Sequence, residues 1–174
     1  KEKIEMSLRL LNWLSANPTT EFDDFATASN LYVQEISYVD WARNVILHGD
    51  ANETFANGLT ALQKHVTRKR EEQNKSFGRL ITIWTEAGST GNEVWRVEEL
   101  LGEVVAKITG QKRVLLIVMD GMNYAVFHQI KDDIVKNGWQ SLAPENEDLK
   151  PVIAALPSVT AVSRTSLLSG RLLR

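Results

Sequence analysis

Two side chains in the second half of the chain, Asp120 and Thr160, have the residue types and settings that phosphoryl transfer needs. Asp120 ends the unbroken apolar run RVLLIVMD, and Gly121 behind it lets the chain turn sharply. Thr160 follows Pro157 by three residues, where a last helix is predicted to begin. A helix N-terminus favours a phosphate or a developing alkoxide, and a carboxylate can hold a cation beside it. Because a metal lowers the cost of ionising a hydroxyl, the pair suits a metal-assisted nucleophile.

Each of these two residues also has a common structural explanation. An Asp-Gly pair after an apolar strand is frequent as a plain turn, and Thr or Ser at a helix start is the usual N-cap. Residue type and spacing alone therefore leave the catalytic and the structural interpretations open.

The elements that would position these residues form a predicted α/β region over residues 111–174. The run that ends at Asp120 shows no alternation, which is typical of a strand buried on both faces. The segment PVIAALP is a second short apolar strand, and helical spacing marks residues 123–137 and 160–169, ended by Gly138 and Gly170. This βαβα order predicts parallel pairing of Val114–Met119 with Val152–Leu156 through a right-handed crossover, with the site at their carboxyl ends.

Residues 1–110 are predicted to form an all-α unit, so the fold class is mixed. Their apolar residues recur three and four apart along four stretches. The third stretch is predicted to open with an N-cap at Asp50 paired with Glu53, and the fourth to end at Gly110. The four stripes are Ile4, Leu8 and Leu11; Tyr38, Ala42, Val45 and Ile46; Phe55, Leu59, Leu62 and Val66, resumed by Phe77, Leu80, Ile81 and Trp84; and Val94, Val97, Leu101, Val104 and Ile108.

Composition narrows the class of protein. The 174 residues are 43% hydrophobic and 24% charged, as in ordinary globular proteins, and the net charge of −2 offers no global attraction for nucleic acid or anionic membranes. Cysteine is absent, which excludes disulfides, thiolate zinc sites and a cysteine nucleophile. The longest apolar run is far too short for a membrane span. We expect a cytoplasmic protein without a membrane partner.

Two segments resemble motifs of the alkaline phosphatase superfamily. VMDGMN, residues 118–123, resembles its first metal-ligand motif, and LPSVTAVSRTSLLSG, residues 156–170, resembles the nucleophile segment of its phosphodiesterase branch. The resemblance implies that Asp120 is a metal ligand and that Thr160 is the metal-bound nucleophile. Ser163 stands where that branch often has an Asn that contacts phosphate, so it is a further candidate catalytic residue. The implied metal is zinc, with manganese or magnesium as alternatives.

A narrower resemblance is to the PglZ family of BREX phage-defence systems, particularly its type 2 form. It lies in the phrases YVDWARN, VLLIVMDGMN and NGWQSLAP. It implies that residues 1–110 are a helical docking region and that residues 111–174 are the truncated start of a PglZ domain. It also implies other BREX components as partners and, for the longer protein, DNA or another phosphoester as substrate. We expect the sequence to be a fragment of that hydrolase.

The remaining metal ligands of a two-metal site are not recognisable in the sequence. None of the residues after Thr160 is Asp, Glu or His, and His48, His65 and His128 have no ligand-like spacing to Asp120. A His on a helix among apolar residues is more often a packing residue. We therefore expect the fragment to be inactive alone and to bind no cofactor. The alternative is a helical protein-interaction module that carries a catalytically incomplete or degenerate phosphatase-like stub.

Overall fold

A computed structural model describes residues 1–89, 91, 93–140, 142 and 150–173. Contacts group the chain into two compact units, each built from two segments. Lys1–Thr90 and Tyr124–Gln140 form unit 1, and Gly91–Asn123 and Ser141–Arg174 form unit 2. Such grouping measures compactness and does not test a family boundary, so the division predicted at residues 110 and 111 stays a prediction.

Helices make up most of the described chain. No helix in the described ranges is long and apolar enough to cross a membrane. The α-helices are α1 (Glu2–Ser15), α2 (Phe25–Leu31), α3 (Ser37–Ile46), α4 (Glu53–Glu86), α5 (Ala106–Thr109), α6 (Tyr124–Lys136) and α7 (Thr160–Ser169). Wider π-helical turns cover Tyr32–Ile36 and Leu101–Val105, a 3-10 turn covers Val97–Glu99, and two short strands are β1 (Trp95–Arg96) and β2 (Val152–Ile153).

Helix α1 confirms the predicted helical periodicity, but its predicted apolar stripe is not the buried side of the helix. Ile4, Leu8 and Leu11 do share one side of α1, yet they are exposed, at about half of their surface each. The buried side carries Met6 and Leu10 together with Trp13. Two apolar stripes compete on this helix, and the one with the Trp is buried because large aromatic side chains remove the most surface from water.

Unit 1 is held by one apolar core where α1, α3, α4 and α6 meet. The long helix α4 supplies the buried side chains at its N-terminal half, and the strongly charged stretch that follows stays helical. No strand interrupts residues 52–86, as predicted. The core consists of Met6, Leu10, Trp13, Val39, Trp41, Ala42, Ile46, Leu59, Leu62, Val66 and Ala125.

The start of α4 corrects the predicted cap. The N-cap is Asn52, whose side-chain Oδ1 accepts a hydrogen bond from the Phe55 N–H at 3.0 Å. Asp50 instead accepts from the Asn52 N–H at 3.1 Å and so shapes the turn before the helix. Asp and Asn are nearly equivalent as N-caps, which is why spacing could not separate them.

Helix α2 was not predicted from the sequence. It begins after Asp24, whose side chain accepts hydrogen bonds from both the backbone N–H and the hydroxyl of Thr27, each at 2.8 Å. These bonds hold the pKa of Asp24 below its ordinary value. The Asp-x-x-Thr spacing was the available signal. Seven residues are too few for a clear hydrophobic period, so the helix depends on its cap and on packing.

His128 lies buried in α6, at 5% exposure, as a packing residue of unit 1. Its ring stacks on Tyr38 with 3.7 Å between centroids, and its Nε2 lies 2.8 Å from Ser37 Oγ. Because Ser37 Oγ also donates to the Val33 carbonyl at 3.1 Å, we assign Nε2 as the donor to the hydroxyl. The buried Nδ1 has no hydrogen-bond partner among the described residues. This arrangement stabilises the neutral imidazole.

Acidification is therefore expected to destabilise unit 1 through His128. Burial lowers the pKa of His128, Lys131 lowers it further, and Asp132 opposes them. The unfolded chain then takes up the proton first, so this contribution is complete above about pH 6.5 and is lost as pH falls towards the folded pKa. Denaturant unfolding between pH 7.5 and 5.5 measures it. His128→Gln should reduce the loss, whereas His65→Gln on the exposed face of α4 should not. An equal pH dependence in all three proteins would contradict the assignment.

Unit 2 contains the parallel pairing, but with a different partner from the one predicted. β2 pairs with β1, in the register Trp95 to Val152 and Arg96 to Ile153, and the Trp95 N–H donates to the Pro151 carbonyl at 2.9 Å. The predicted pairing of Val114–Met119 with Val152–Leu156 is therefore wrong, and so is unbroken helix through Trp95. Periodicity cannot distinguish a two-residue strand from the first turn of the helix that follows it.

Residues 114–119 form no strand and are exposed, with Leu115 at 84% and Ile117 at 66%. An apolar run indicates that a segment tends to be buried, but it does not choose the segment that supplies the hydrogen bonds. In the described part of unit 2, β1 takes the place beside β2. The broader α/β assignment is thus shown only as a mostly helical chain with a short parallel sheet.

Helix α7 agrees with its predicted bounds. It begins at Thr160 and ends at Ser169, and Gly170 follows in the left-handed conformation at φ 67°. The Gly170 N–H donates to the Ser166 carbonyl at 3.1 Å, which closes the last turn. Buried Ser166 adds a second hydrogen bond at this helix end, because its Oγ accepts from the Leu173 N–H at 3.1 Å. The helix that carries Thr160 is therefore held firmly at its far end.

Candidate functional site

A cleft of about 350 Å³ in unit 2 brings the predicted site residues together. One wall is the segment of residues 118–122, which contains Asp120, and the other is the first half of α7. Thr160 and Ser163 line it from α7, across a sequence separation of 40 residues or more from Asp120. That the Asp120 and Thr160 side chains lie close enough to share one metal ion stays a prediction.

The Asp120 wall turns at Gly121. Gly121 has φ +66°, a conformation that favours glycine, while open space surrounds the position where a side chain would start. Its role is thus the backbone turn and not a close approach. The turn exposes the Asp120 carboxylate, whose partner is the guanidinium of Arg164. Both side chains of this ion pair are about half exposed, so it contributes little to stability.

Thr160 is the first residue of α7 and not its cap. The N-cap is Val159, in extended conformation at φ −92° and ψ 145°, and no side chain caps this helix end. The Thr160 hydroxyl is therefore exposed and takes no part in the cap. The Ser163 N–H donates to the Val159 carbonyl at 3.0 Å, whereas the N–H groups of the first helical residues have no intrahelical acceptor. A role as N-cap therefore does not account for a threonine at position 160.

One face of α7 lines the cleft. Thr160, Ser163, Arg164 and Leu167 follow one another at i, i+3, i+4 and i+7 and all contact it. The Ser163 Oγ is buried and has no hydrogen-bond partner among the described residues. A buried hydroxyl without a partner is unfavourable unless a ligand or water completes it. This wall thus combines an exposed hydroxyl, an orphan hydroxyl and a cation.

Arg164 is the residue of this cleft that sequence reasoning missed. Its signal was its position four residues after Thr160, which places both side chains on the same face of a helix. Its pairing with Asp120 could not be read from the sequence, because the partner lies 44 residues away. An arginine beside a candidate phosphate site is chemically apt, since its fork of N–H groups matches phosphate oxygens.

The described donor groups of the cleft do not complete a metal site. Among the described lining residues Asp120 is the only carboxylate, Thr160 adds one hydroxyl, and the carboxylate is already paired with Arg164. Within the described ranges no three Asp, Glu, His or Cys side chains are grouped in a way that could hold an ion. Zinc sites take at least three protein ligands. The oxygen atoms suit a divalent cation, but the described residues do not complete a ligand set.

The three histidines stay outside the cleft. His128 belongs to the packing of unit 1, and His48 and His65 are exposed residues of that same unit. None of them lines the wall that holds Asp120 or the wall that holds Thr160.

Comparison with known proteins finds one family. Residues 100–174 match PglZ, the BREX system PglZ alkaline phosphatase-like domain. The matched range contains both walls of the cleft, and it confirms the family resemblance predicted from the segments around Asp120 and Thr160. No curated protein and no solved structure matches the chain.

Proposed function

Since residues 100–174 match the PglZ family, we propose that the chain supplies the nucleophile half of a phosphoester hydrolase in a BREX defence system. Thr160 is the nucleophile, Ser163 binds a phosphate oxygen, and Asp120 is a ligand of a divalent metal. The observation that carries the proposal is the single cleft that gathers these three side chains within the matched range.

The proposed reaction is a displacement at phosphorus in two steps. The Thr160 hydroxyl oxygen forms a bond to phosphorus while the bond to the leaving alcohol oxygen breaks, and the hydroxyl proton passes to solvent. The leaving oxygen takes a proton from water. A water molecule then attacks the phosphothreonine and releases phosphate with the hydroxyl restored, which is the pattern of covalent catalysis. Exposure of Thr160 at the helix start leaves its oxygen accessible for that attack.

The same helix end can hold the phosphate oxygens. The first N–H groups of α7 lack intrahelical acceptors, and the helix dipole places partial positive charge there. The orphan Ser163 hydroxyl can donate to a phosphate oxygen, which would satisfy it. Arg164 can add a charge-assisted hydrogen bond once its pairing with Asp120 is exchanged. Substrate binding is thus expected to compete with this ion pair.

A divalent metal, zinc first and manganese or magnesium as alternatives, belongs to the proposal. When bound, such an ion would lower the pKa of a coordinated hydroxyl and neutralise charge on the phosphate. Asp120 and Thr160 would contribute to holding it. The other ligands would have to come from residues outside the described set.

The isolated 174-residue chain should accordingly bind no tight pair of metal ions. Calorimetric titration with zinc or manganese should show no tight site, and assays with simple phosphomonoesters and phosphodiesters should give background rates. The reason is that the described lining offers two candidate donors, Asp120 and Thr160, which cannot supply three protein ligands to each ion. Tight binding of two ions, or turnover that Asp120→Ala abolishes, would contradict this and would point to ligands from a second copy of the chain.

A second candidate function is a helical module that docks onto other BREX components, with the phosphatase-like part inactive. The observation that favours it is the exposed apolar stripe of Ile4, Leu8 and Leu11 on α1. The two candidates differ in the role of Thr160. If phage protection by the complete system survives Thr160→Ala but is lost with Leu8→Glu, docking is the function. Loss of protection with Thr160→Ala supports the hydrolase.

A further inference from the structure

A cavity of about 320 Å³ lies within unit 1, in a part of the chain outside the PglZ match. Three aromatic side chains, Phe22, Tyr32 and Phe77, form its walls. Buried Arg70 and Gln73 line its interior, and exposed Asn74 lies at its mouth. Aromatic walls with a few convergent polar groups are the usual composition of a small-molecule site.

Arg70 is a buried arginine that hydrogen bonds hold in place. Its side chain is only 6% exposed. Nε and Nη2 each donate to an Asp40 carboxylate oxygen at 3.0 Å, and Nη1 donates to Gln73 Oε1 at 2.8 Å. A guanidinium has five N–H groups. One N–H on Nη1 and one on Nη2 therefore have no acceptor among the described residues, beside a cavity that could hold one.

The backbone at the cavity supplies an independent observation. A π-helical turn, Tyr32–Ile36, interrupts the helix between α2 and α3, and the residues at both of its ends line the cavity. Single π-turns are rare and are found disproportionately at functional sites. This turn positions the Tyr32 ring, which lies 5.9 Å from the Arg70 guanidinium carbon. Burial raises the pKa of Tyr32, so the phenol stays neutral.

We propose that this cavity binds a nucleobase that presents two adjacent hydrogen-bond acceptors, as guanine does. The unused N–H groups on the two terminal nitrogens of Arg70 are donors for O6 and N7 of guanine, the two acceptors that arginine contacts on this base. The rings of Phe22 and Phe77 supply surfaces on which a base can stack. The Asn74 amide has no partner among the described residues and can bond another edge of the base at the mouth.

Guanosine binding to the 174-residue chain tests the proposal, measured by equilibrium dialysis or ligand-observed NMR. Asn74→Ala should weaken binding about fivefold to tenfold, the effect of one lost hydrogen bond. Phe77→Leu should weaken it comparably by removing a stacking surface. Lys75→Ala is the matched control, because Lys75 is exposed, adjacent in sequence and outside the cavity lining. The Phe77 ring also packs against the Phe25 ring, with 5.2 Å between centroids, so thermal melting checks that Phe77→Leu is still folded. Asn74 is exposed, so Asn74→Ala is not expected to affect folding.

Saturable guanosine binding that weakens with Asn74→Ala and is unchanged by Lys75→Ala would support the site. Absence of saturable guanosine binding would overturn it. So would binding that ignores Asn74→Ala, or a preference for benzoate, an aromatic carboxylate without the base's ring nitrogens. Because this cavity is distinct from the Thr160 cleft, the outcome is independent of the hydrolase proposal.

Discussion

Replacing Thr160 with alanine in a protein that contains the complete phosphatase-like domain should abolish phosphoester hydrolysis. Loss of the attacking oxygen removes the covalent pathway, and we expect a fall in kcat of at least about a thousandfold. The fold should be nearly unaffected, because the Thr160 hydroxyl is exposed and makes no cap hydrogen bond. Substitutions at such positions usually change the free energy of unfolding by less than about 0.5 kcal/mol. Steady-state kinetics and denaturant unfolding of the same preparations separate the two effects.

Thr165→Ala is the matched control for that experiment. Thr165 lies on the same helix and is exposed, but it is absent from the cleft lining, and its hydroxyl donates to the Ala161 carbonyl at 2.6 Å. It should retain wild-type activity. Turnover by the Thr160 variant within a few-fold of wild type would show that Thr160 is not the nucleophile. Equal loss in both variants would indicate damage to α7 and not to the chemistry.

Replacing Asp40 with asparagine should produce the largest loss of stability in unit 1. Among the described residues Asp40 is the only carboxylate paired with buried Arg70, through two hydrogen bonds of 3.0 Å, and it also accepts from Arg43. Removing one partner of a buried ion pair leaves an uncompensated charge and costs about 3–5 kcal/mol. Asp40 itself is 21% exposed, so we expect about 2–4 kcal/mol. Urea unfolding at pH 7 measures it.

Asp133→Asn makes the same chemical change on α6 of the same unit. Its ion pair with Lys136 is exposed, at 77% for Asp133 and 72% for Lys136. Exposed pairs contribute at most about 1 kcal/mol, so this variant should unfold close to wild type. A similar, small loss in both variants would mean that the Arg70 network is not a determinant of the fold. A large loss of stability with Asp133→Asn would mean that an Asp to Asn change destabilises a helix of this unit even without a buried ion pair.

The sequence by itself determined the local elements with strong signals. Helix α7 and its stop at Gly170 followed from spacing and from glycine's tolerance of the left-handed conformation. The helical character of residues 53–86 followed from periodicity that continues on both sides of a charged stretch. The match of residues 100–174 to the PglZ family model followed from two short motifs, because they combine fixed residue types with fixed spacing. Such features depend only on residues near one another in the chain.

The tertiary structure alone decided which partners those elements take. In the structure β1, and not residues 114–119, pairs with β2. Trp13 is buried, whereas the stripe with Ile4 and Leu8 is exposed. Arg164 forms an ion pair with Asp120. In the first two cases two local patterns with similar intrinsic preference competed for one place. Burial and hydrogen bonding over long sequence separations settle such competitions, and periodicity carries no record of those separations. The Arg70 cavity could not be predicted from the sequence for the same reason, because its lining residues come from three separate segments of unit 1.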